Sequence, residues 1–212
     1  MIKNEIINGI FFNIKSKKDF IIKNYLSVLG GYSFDANDYT AGKYDVITIK
    51  NVNDLFVDEY NCDHVSVLPK DIKEFQILDI GNILVSLTGK TGRISIVDKN
   101  NELLNQRVGK IESTKDIYIE FNYCLLNSDY VQNKIQNLST GGNQKNLSPE
   151  DLVNVEIDII SDEEILRFHN NFNYIYKTII DLGVQNEYFK KLLNSLAPLL
   201  LNNTLKLKKE VI

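Results

Sequence analysis

Short apolar runs alternate with polar turns through the middle of the chain. Apolar and polar side chains alternate over residues 45–50, and two β-rich runs, 83–87 and 94–97, stand on either side of a turn at 88–92 that contains two glycines. Runs of this length and period are typical of β-strands. We therefore predict a set of short strands joined by glycine-containing turns.

Helical periodicity marks three other segments. Residues 20–29 have apolar positions at helical spacing and are followed by Gly30 and Gly31, a typical helix end. Residues 114–127 and 128–138 also have helical patterns. Helices in these segments together with the short strands predict an α+β fold.

A different pattern begins at Ser161. Ser161 and Glu164 have the spacing of a capping box, in which each residue bonds the other's backbone N–H. Apolar residues then recur at steps of three and four for roughly ten helical turns, as in a coiled-coil seam. The predicted dimerisation residues are Ile165, Phe168, Phe172, Ile175, Ile179, Leu182, Asn186, Phe189, Leu193 and Leu196.

The length of this seam favours pairing with another helix. Asn186 is a polar interruption at an a-type heptad position, where it lowers stability but fixes register. Gly183 weakens a helix by about 1 kcal/mol relative to Ala, and Pro198 predicts a kink or stop. The alternative to pairing is an amphipathic helix lying on its own domain. We predict a domain at residues 1–160 followed by a long coiled-coil-forming helix at 161–212.

Charge is distributed unevenly along the chain. The 212 residues are 43% hydrophobic, with a formal net charge of -4 and a pI near 5.3, which is unlike a DNA-binding domain that acts alone. Residues 88–110 nonetheless hold five basic and two acidic residues, whereas residues 150–164 hold seven acidic residues and no basic one. Such a protein would bind DNA weakly alone and would need a partner for further phosphate contacts. We find no apolar run of membrane-spanning length and no signal peptide, and we expect a cytoplasmic protein.

A glycine-rich polar loop precedes a well-marked helix start. The loop, residues 140–146, has two glycines that allow a close backbone approach, and Asn, Gln and Lys side chains that can reach a base edge or a phosphate. Ser148 suits a helix N-cap and Pro149 the first helical position, and an alternating apolar pattern at 155–159 indicates a strand. The alternative interpretation is an ordinary connection into a helix.

We recognise no catalytic or metal-binding set of residues. His64 and His169 are the two histidines, and we expect both at the surface. Cys62 and His64 alone are too few ligands for a metal site, and we expect Asp58 and Glu59 to lie in a solvated loop. A glycine-rich cofactor loop and an Asn-Pro-Pro-Tyr-type motif for methylation of a base are both missing. The sequence therefore predicts a protein that is not an enzyme and has no cofactor.

Five motifs, in order along the chain, resemble those of the specificity (S) subunits of type I restriction–modification enzymes. They are Gly-Tyr-x-Phe at 31–34 with Tyr39, an apolar strand at 46–52, Gly-Asn-Ile-Leu-x-Ser-x-Thr-Gly at 81–89 with Gly92 and Arg93, Leu-Asn-Gln-Arg-Val at 104–108, and Gly-x-x-Gln-x-Asn-Leu-x-x-x-Asp-Leu at 141–152. Asn82 stands where the family usually has Asp. The resemblance covers roughly residues 25–201.

The resemblance implies a target recognition domain followed by a spacer helix. S subunits of this family read double-stranded DNA for separate methyltransferase (M) subunits and, through them, for the restriction (R) subunits. They carry two recognition domains and two spacer helices that pair antiparallel, whereas this chain has one of each and resembles a half-subunit. A homodimer would read a bipartite site. The alternative is a phage-type or truncated S-like protein that binds the M subunits and modulates a host system.

Within this interpretation, polar residues of the glycine-containing loops become candidates for contacts with DNA. Gln and Asn can pair with adenine and Arg with guanine, whereas Lys suits phosphate. Arg107 has a second interpretation, a buried side chain paired with an acid, because Leu104 and Val108 flank it. The predicted DNA-binding residues are Lys50, Asn51, Thr88, Lys90, Thr91, Arg93, Gln106, Arg107, Gly142, Asn143, Gln144 and Lys145.

Overall fold

Two β-sheets, a two-stranded ribbon and four α-helices make up the part of the chain that the structure describes, residues 20–138, 146–158 and 160–201 of a computed structural model. None of the strands in these ranges exceeds six residues. The α+β class predicted from the sequence is confirmed.

The larger sheet has five strands. In spatial order they are β2 (Leu26–Gly30), β10 (Val108–Ser113), β7 (Ile83–Ser86), β8 (Ile94–Ile96) and β4 (Leu55–Phe56). Neighbouring strands are antiparallel except β8 and β4, which are parallel. The predicted pair of strands on either side of residues 88–92 is therefore confirmed as the β7–β8 hairpin.

The smaller sheet has four strands. Their order is β5 (Asp63–Val65), β3 (Tyr44–Ile47), β9 (Glu102–Leu104) and β6 (Ile77–Leu78), with β3 and β9 parallel and the other pairs antiparallel. Strand β3 confirms the first part of the strand predicted at 45–50, and the chain turns after it. Separately, β1 (Phe20–Ile21) pairs with β11 (Glu156–Ile157) in an antiparallel ribbon.

The helices in the described ranges are α1 (Ile119–Asn127), α2 (Asp129–Leu138), α3 (Pro149–Val153) and α4 (Asp162–Leu201). Short 3-10 turns lie at Ile22–Asn24, Glu74–Gln76 and Asp116–Tyr118. The predicted cap of α3 is confirmed, because the Ser148 hydroxyl accepts a hydrogen bond from the Asp151 N–H at 2.9 Å. The main hydrophobic core lies between the five-stranded sheet, α1, α2 and the first half of α4.

Tyr25 joins the start of α4 to this core. Its hydroxyl donates to the carbonyl of Ile160 at 2.8 Å and accepts a hydrogen bond from the N–H of the same residue at 3.1 Å. The ring packs edge-on against Tyr118 and Phe121. One buried side chain therefore satisfies both backbone groups of the residue that lies just before the helix.

The helix predicted over residues 20–29 is wrong. The segment forms β1, a 3-10 turn and β2, and five consecutive residues of β2 pair with β10. Its helical spacing arises because Ile22 and Tyr25 enter the core from the turn and Leu26 enters it from the strand. Pairing with a distant strand therefore overrides the local pattern.

Helix α4 begins at the predicted capping box. The Ser161 N–H donates to Glu164 Oε2 at 3.0 Å, and the Glu164 N–H donates to Ser161 Oγ at 3.3 Å. The chain stays helical through Pro198, so the predicted stop does not occur there. Gly183 lies inside the helix as a buried packing position against Phe56.

The first part of the predicted seam packs on its own domain. Ile165 and Phe168 are 0% and 7% exposed, and Phe172 stacks on Phe168 with 4.6 Å between ring centroids. This packing corrects the assignment of these three residues to dimerisation, since an apolar face that is already covered cannot bind a second helix. The alternative of a helix lying on its own domain holds for this half of α4.

The second part of the seam points away from the domain. Its apolar residues are largely exposed, for example Phe189 at 62% and Leu193 at 65%, while Tyr176 and Gly183 form the buried stripe on a different face of the helix. We define the exposed seam as Ile175, Ile179, Leu182, Asn186, Phe189, Leu193 and Leu196. None of the helices in the described ranges is long and apolar enough to span a bilayer.

A buried acid lies where α4 crosses the domain. Asp98 is 4% exposed, and its Oδ1 has no hydrogen-bond partner among the described residues. Burial, together with the negative charges of Glu187 on α4 and of Glu59, raises the pKa of Asp98 to about 6. The folded protein therefore binds this proton more tightly than the unfolded chain does.

We expect the Gly183→Ala variant to be less stable than the parent, although Ala is favoured over Gly in helix interiors by about 1 kcal/mol. A Cβ at this position would lie 2.4 Å from Cζ of Phe56, so the ring or the helix must shift at a cost of about 1–3 kcal/mol. Urea unfolding measures the difference. Phe56→Leu removes the two ring atoms that lie closest to this position. In that background, Gly183→Ala should lower the free energy of unfolding by much less. A single variant more stable than the parent would contradict this packing.

We expect Asp98→Asn to change how stability depends on pH. Because the pKa of Asp98 in the folded state lies above its ordinary value of 3.8, the parent should lose stability as pH rises from about 4 to about 6. The amide does not ionise, so the variant should gain about 1–2 kcal/mol relative to the parent between pH 4 and pH 7. Urea unfolding at several pH values measures both slopes, and parallel slopes would rule out the effect.

Candidate nucleic-acid interface

One end of the five-stranded sheet brings together three of the loops identified from the sequence. The residue after β7, Leu87, has both backbone groups bonded: its N–H donates to the carbonyl of Arg107 at 3.0 Å, and its carbonyl accepts from the N–H of Leu147 at 2.8 Å. Thr88 and Asn146 then form an antiparallel bridge. The turn after β7, the turn before β10 and the end of the glycine-rich loop are therefore neighbours.

The turn after β3 reaches the same place. The N–H of Asn105 donates to the carbonyl of Ile47 at 3.1 Å, and Cδ1 of Ile49 lies 3.4 Å from where a Cβ on Gly89 would stand. All four segments lie at one end of the strands. We call the surface formed by residues 48–53, 88–93, 105–107 and 146 the Leu87 end.

Two glycines shape the turn after β7. Gly89 and Gly92 have φ of +72° and +81°, values that favour glycine. Ser86 closes the turn, because its hydroxyl donates to the carbonyl of Lys90 and accepts from the N–H of Arg93 at 3.0 Å. The exposed Lys90 side chain is thereby held at the tip of a fixed turn.

Helix α2 holds the turn from the other side. Gln132 donates from its side-chain amide to the carbonyl of Gly92 at 2.9 Å, and Gln136 donates to the carbonyl of Thr91 at 3.0 Å. Thr91 is only 3% exposed and Thr88 is half-buried. Thr91 therefore serves the construction of the turn, and it is not retained as a contact residue.

Two further predicted DNA-binding residues are engaged in the fold. Asn51 is 0% exposed: its Oδ1 accepts from the Thr48 N–H at 3.0 Å, and its Nδ2 donates to the carbonyl of Asp58 at 2.8 Å. Arg93 is half-buried, and its guanidinium donates to Oδ1 of Asn53 at 3.0 Å. Asn51 is withdrawn from the predicted contact set because its amide is already bonded on both sides.

The turn before β10 exposes Gln106 and Arg107. The Gln106 N–H donates to the carbonyl of Tyr32 at 2.9 Å, and the Arg107 N–H donates to Oδ1 of Asn105 at 3.1 Å. The backbone is thus fixed while both side chains face solvent. The second interpretation of Arg107, a buried side chain paired with an acid, is wrong.

Basic side chains at the Leu87 end differ in whether they already form an ion pair within the fold. Lys50 forms a 3.0 Å ion pair with Asp63, and both side chains are about half exposed. Neither Lys90 nor Arg107 forms an ion pair with any residue in the described ranges. These two cations are the ones at this end that the fold leaves available to an anion.

Four of the predicted DNA-binding residues lie outside the described ranges. They are Gly142, Asn143, Gln144 and Lys145. The loop that carries them leads into Asn146, which pairs with Thr88. Their assignment stays a prediction.

Both histidines and one of the acids have partners that the sequence analysis missed. His64 lies 2.7 Å from Asp45, and His169 contacts Glu120, whose side chain is 4% exposed. Glu59 was expected in a solvated loop, but it forms a 2.9 Å ion pair with Lys99 and its side chain is 18% exposed. His64 is exposed over 43% of its side chain and His169 over 23%, so both keep contact with solvent while they pair with an acid. The expectation of a solvated Glu59 is corrected, because the fold brings it into contact with Lys99, which is far away in sequence.

One buried acid in this region is Glu102 on β9. It is 0% exposed, and burial, with the charge of Glu59 added, raises the pKa of Glu102 to about 9. The sequence holds one signal for this burial, since two apolar residues, Leu103 and Leu104, follow Glu102 directly. Neither Cys62 nor Cys124 forms a disulfide.

Solved structures share this fold. The S subunit of a type I restriction–modification system from M. genitalium is 19% identical with a TM-score of 0.54, and the match covers 89% of this chain and 46% of that chain. The HsdS subunit from Thermoanaerobacter tengcongensis is 11% identical with a TM-score of 0.54, covering 87% and 48%. A chain from a structure of the assembly and conformational transition of the type I R-M system is 12% identical with a TM-score of 0.54, covering 92% and 48%. This chain therefore spans about half the length of the structures it matches.

A comparison with curated protein sequences gives no match. A family model, in contrast, matches residues 13–187, which is most of the chain, and it describes the type I restriction modification DNA specificity domain. The structural matches agree with it in fold. The chain therefore belongs to the family of type I restriction–modification DNA specificity domains.

Proposed function

We propose that this chain is a non-catalytic subunit that reads one half of a bipartite DNA site with its Leu87 end. The observation that carries this proposal is the convergence at Leu87, whose N–H and carbonyl bond the turn of Arg107 and the chain that leaves the glycine-rich loop. Loops that come from three places in the sequence form one surface there. Membership of the DNA specificity family supports the same function.

The residues of this surface divide by the contacts that their chemistry favours. The exposed guanidinium of Arg107 suits bidentate pairing with guanine in the major groove, and its fixed backbone reduces the entropy lost on binding. Lys90 suits a phosphate, because an ammonium on a flexible stem is a point charge. Lys50 can exchange its exposed ion pair with Asp63 for a phosphate at little cost. We further propose that Gln106 and Gln144 read bases.

We propose that the active form contains two copies paired antiparallel through the exposed seam. The large apolar residues there, such as Leu182 and Phe189, are more than half exposed on the separate chain. In this assembly the paired helices direct the M subunits and, through them, the R subunits to the site.

We expect Arg107→Gln and Lys90→Ala to change DNA binding in different ways. In the assembled complex with M subunits, Arg107→Gln should cost about 1–3 kcal/mol on the cognate duplex and relax the sequence preference. Lys90→Ala should weaken specific and non-specific duplexes alike and lower the salt slope by about one. Methylome sequencing of cells that carry the chain and its methyltransferase identifies the cognate site, and binding across a salt series measures both effects.

Lys43→Ala is the matched control for these variants, since Lys43 is an exposed lysine just before β3, at the opposite end of that strand from the Leu87 end. It should bind both duplexes as the parent does. Gln144→Ala is expected to behave like Arg107→Gln, and Lys145→Ala like Lys90→Ala. If all four variants at the predicted surface match the parent, the Leu87 end does not read DNA. A parent complex that binds without sequence preference would instead favour a modulator of the M subunits.

We expect the parent chain to be a dimer and the double variant Leu182→Asp, Phe189→Asp to be a monomer. Two buried charges in the paired helices would each carry a desolvation cost. Light scattering at high concentration measures the mass. Tyr174→Asp is the control, because Tyr174 is 81% exposed and lies off the seam, and this variant should stay dimeric. A monomeric parent would rule out self-association through α4.

A further inference from the structure

Three carboxylates from distant parts of the sequence meet beside the smaller sheet. Asp45 on β3 and Glu102 on β9 precede Val46 and Leu103, which are partners in the parallel ladder, and Glu59 comes from the connection between β4 and β5. One oxygen of each carboxylate lies within 4.8 Å of the others. We call Asp45, Glu59 and Glu102 the carboxylate cluster.

Protein partners satisfy only part of this cluster. Asp45 Oδ1 lies 2.7 Å from Nδ1 of His64, Asp45 Oδ2 contacts the ammonium of Lys99, and Glu59 Oε2 accepts from the same ammonium at 2.9 Å. Glu59 Oε1 and both oxygens of Glu102 are buried and have no hydrogen-bond partner among the described residues. Such orphaned oxygens are rare in folded proteins, and their presence indicates a missing ligand.

Glu102 makes this more than a group of surface acids. Its side chain is 0% exposed and directed into the cluster, so bulk water cannot satisfy it. When all three carboxylates are ionised, as they would be around a bound cation, they carry three negative charges, and Lys99 supplies one positive charge. A divalent cation would bring the sum to zero with Lys99 still in place.

We propose that Asp45, Glu59 and Glu102 bind one divalent cation of the class that prefers oxygen ligands, with calcium as the best fit. All three ligands are carboxylates, and the sulfur of nearby Cys62 already accepts a hydrogen bond from Asn51 at 3.2 Å, so the donor set is hard. Calcium–oxygen distances of about 2.3–2.6 Å allow ligand atoms up to about 5 Å apart, whereas the shorter magnesium distances require a tighter cluster. Separations of up to 4.8 Å between the ligand atoms are within the range that calcium can bridge.

A route for the ion exists beside the cluster. A surface cavity of about 310 Å³ is lined by Lys43, Tyr44, Asp45, Lys99, Asn100 and Asn101. Asp45 of the carboxylate cluster lines this cavity directly, and so does Lys99, whose partly exposed ammonium contacts Asp45 and Glu59. The ion would enter past Lys99, and water in the cavity would complete its coordination.

The cation would clamp a loop onto the sheet. Glu59 is the one ligand that comes from the β4–β5 connection, and the same loop is held at Asp58 by the buried amide of Asn51. A cation would add a second attachment, from Glu59 to both Asp45 and Glu102. We therefore expect the ion to raise the thermal stability of the folded chain independently of DNA.

The test uses the full chain after removal of ions with EDTA and dialysis. Calcium chloride and, separately, magnesium chloride are titrated by calorimetry, and thermal unfolding is followed with each. We expect one calcium ion per chain, weaker magnesium binding and a higher midpoint of unfolding with calcium. Glu102→Gln should weaken calcium binding at least about tenfold, since even loss of an outer-shell partner costs metal sites about 10–100-fold.

Two further variants keep the test decisive. Glu59→Gln changes a ligand on the loop and should also weaken calcium binding, even if the variant at the buried Glu102 fails to fold. Asp58→Asn removes the same charge one residue away, where the side chain is exposed, and it should bind calcium as the parent does. The proposal is overturned by no heat and no stabilisation up to about 10 mM of either ion, well above the dissociation constants of weak protein calcium sites. It is also overturned by equal binding in Glu59→Gln and the parent.

Discussion

The hydroxyl of Tyr25 bonds both backbone groups of Ile160, and the position of the long helix depends on this contact. Tyr25 follows a 3-10 turn near the start of the described chain, whereas Ile160 lies 135 residues later. Because this buried hydroxyl both donates and accepts a hydrogen bond, it fixes the direction of the backbone at Ile160 as well as its distance from Tyr25. Helix α4 consequently leaves the domain at one defined angle, and the packing of Gly183 against Phe56 holds it again about six turns further on.

The Leu87 end is rigid for a related reason. Its turns are held by backbone hydrogen bonds and by buried side chains such as Asn51 and Ser86, while the residues with free charge stand at the tips. The core and the turns therefore form a scaffold that holds the exposed side chains of Arg107 and Lys90 in fixed places.

The sequence predicted those elements whose signals are local. The strands of the β7–β8 hairpin, the cap at Ser148 and the capping box at Ser161 depend on neighbouring residues and were found. The failures come from distant pairing. Residues 20–29 form a strand because β10 is available, and Asn51 is buried because residues up to eleven positions away fold back onto it. The first part of the seam was assigned wrongly, because a periodic apolar pattern does not show which of its turns the domain will cover, and the pairing of the second part stays a prediction.

The exposed seam repeats every seven residues, and in the proposed antiparallel pair this repeat would limit the possible spacings of the two DNA half-sites. Two antiparallel helices that pair through such a repeat can shift only in whole heptads, each of about 10.5 Å at 1.5 Å per residue. A base pair of duplex DNA rises about 3.4 Å, so one heptad corresponds to about three base pairs. The gap between the two half-sites would thus be a quantised property of α4, alterable in steps by inserting or deleting heptads.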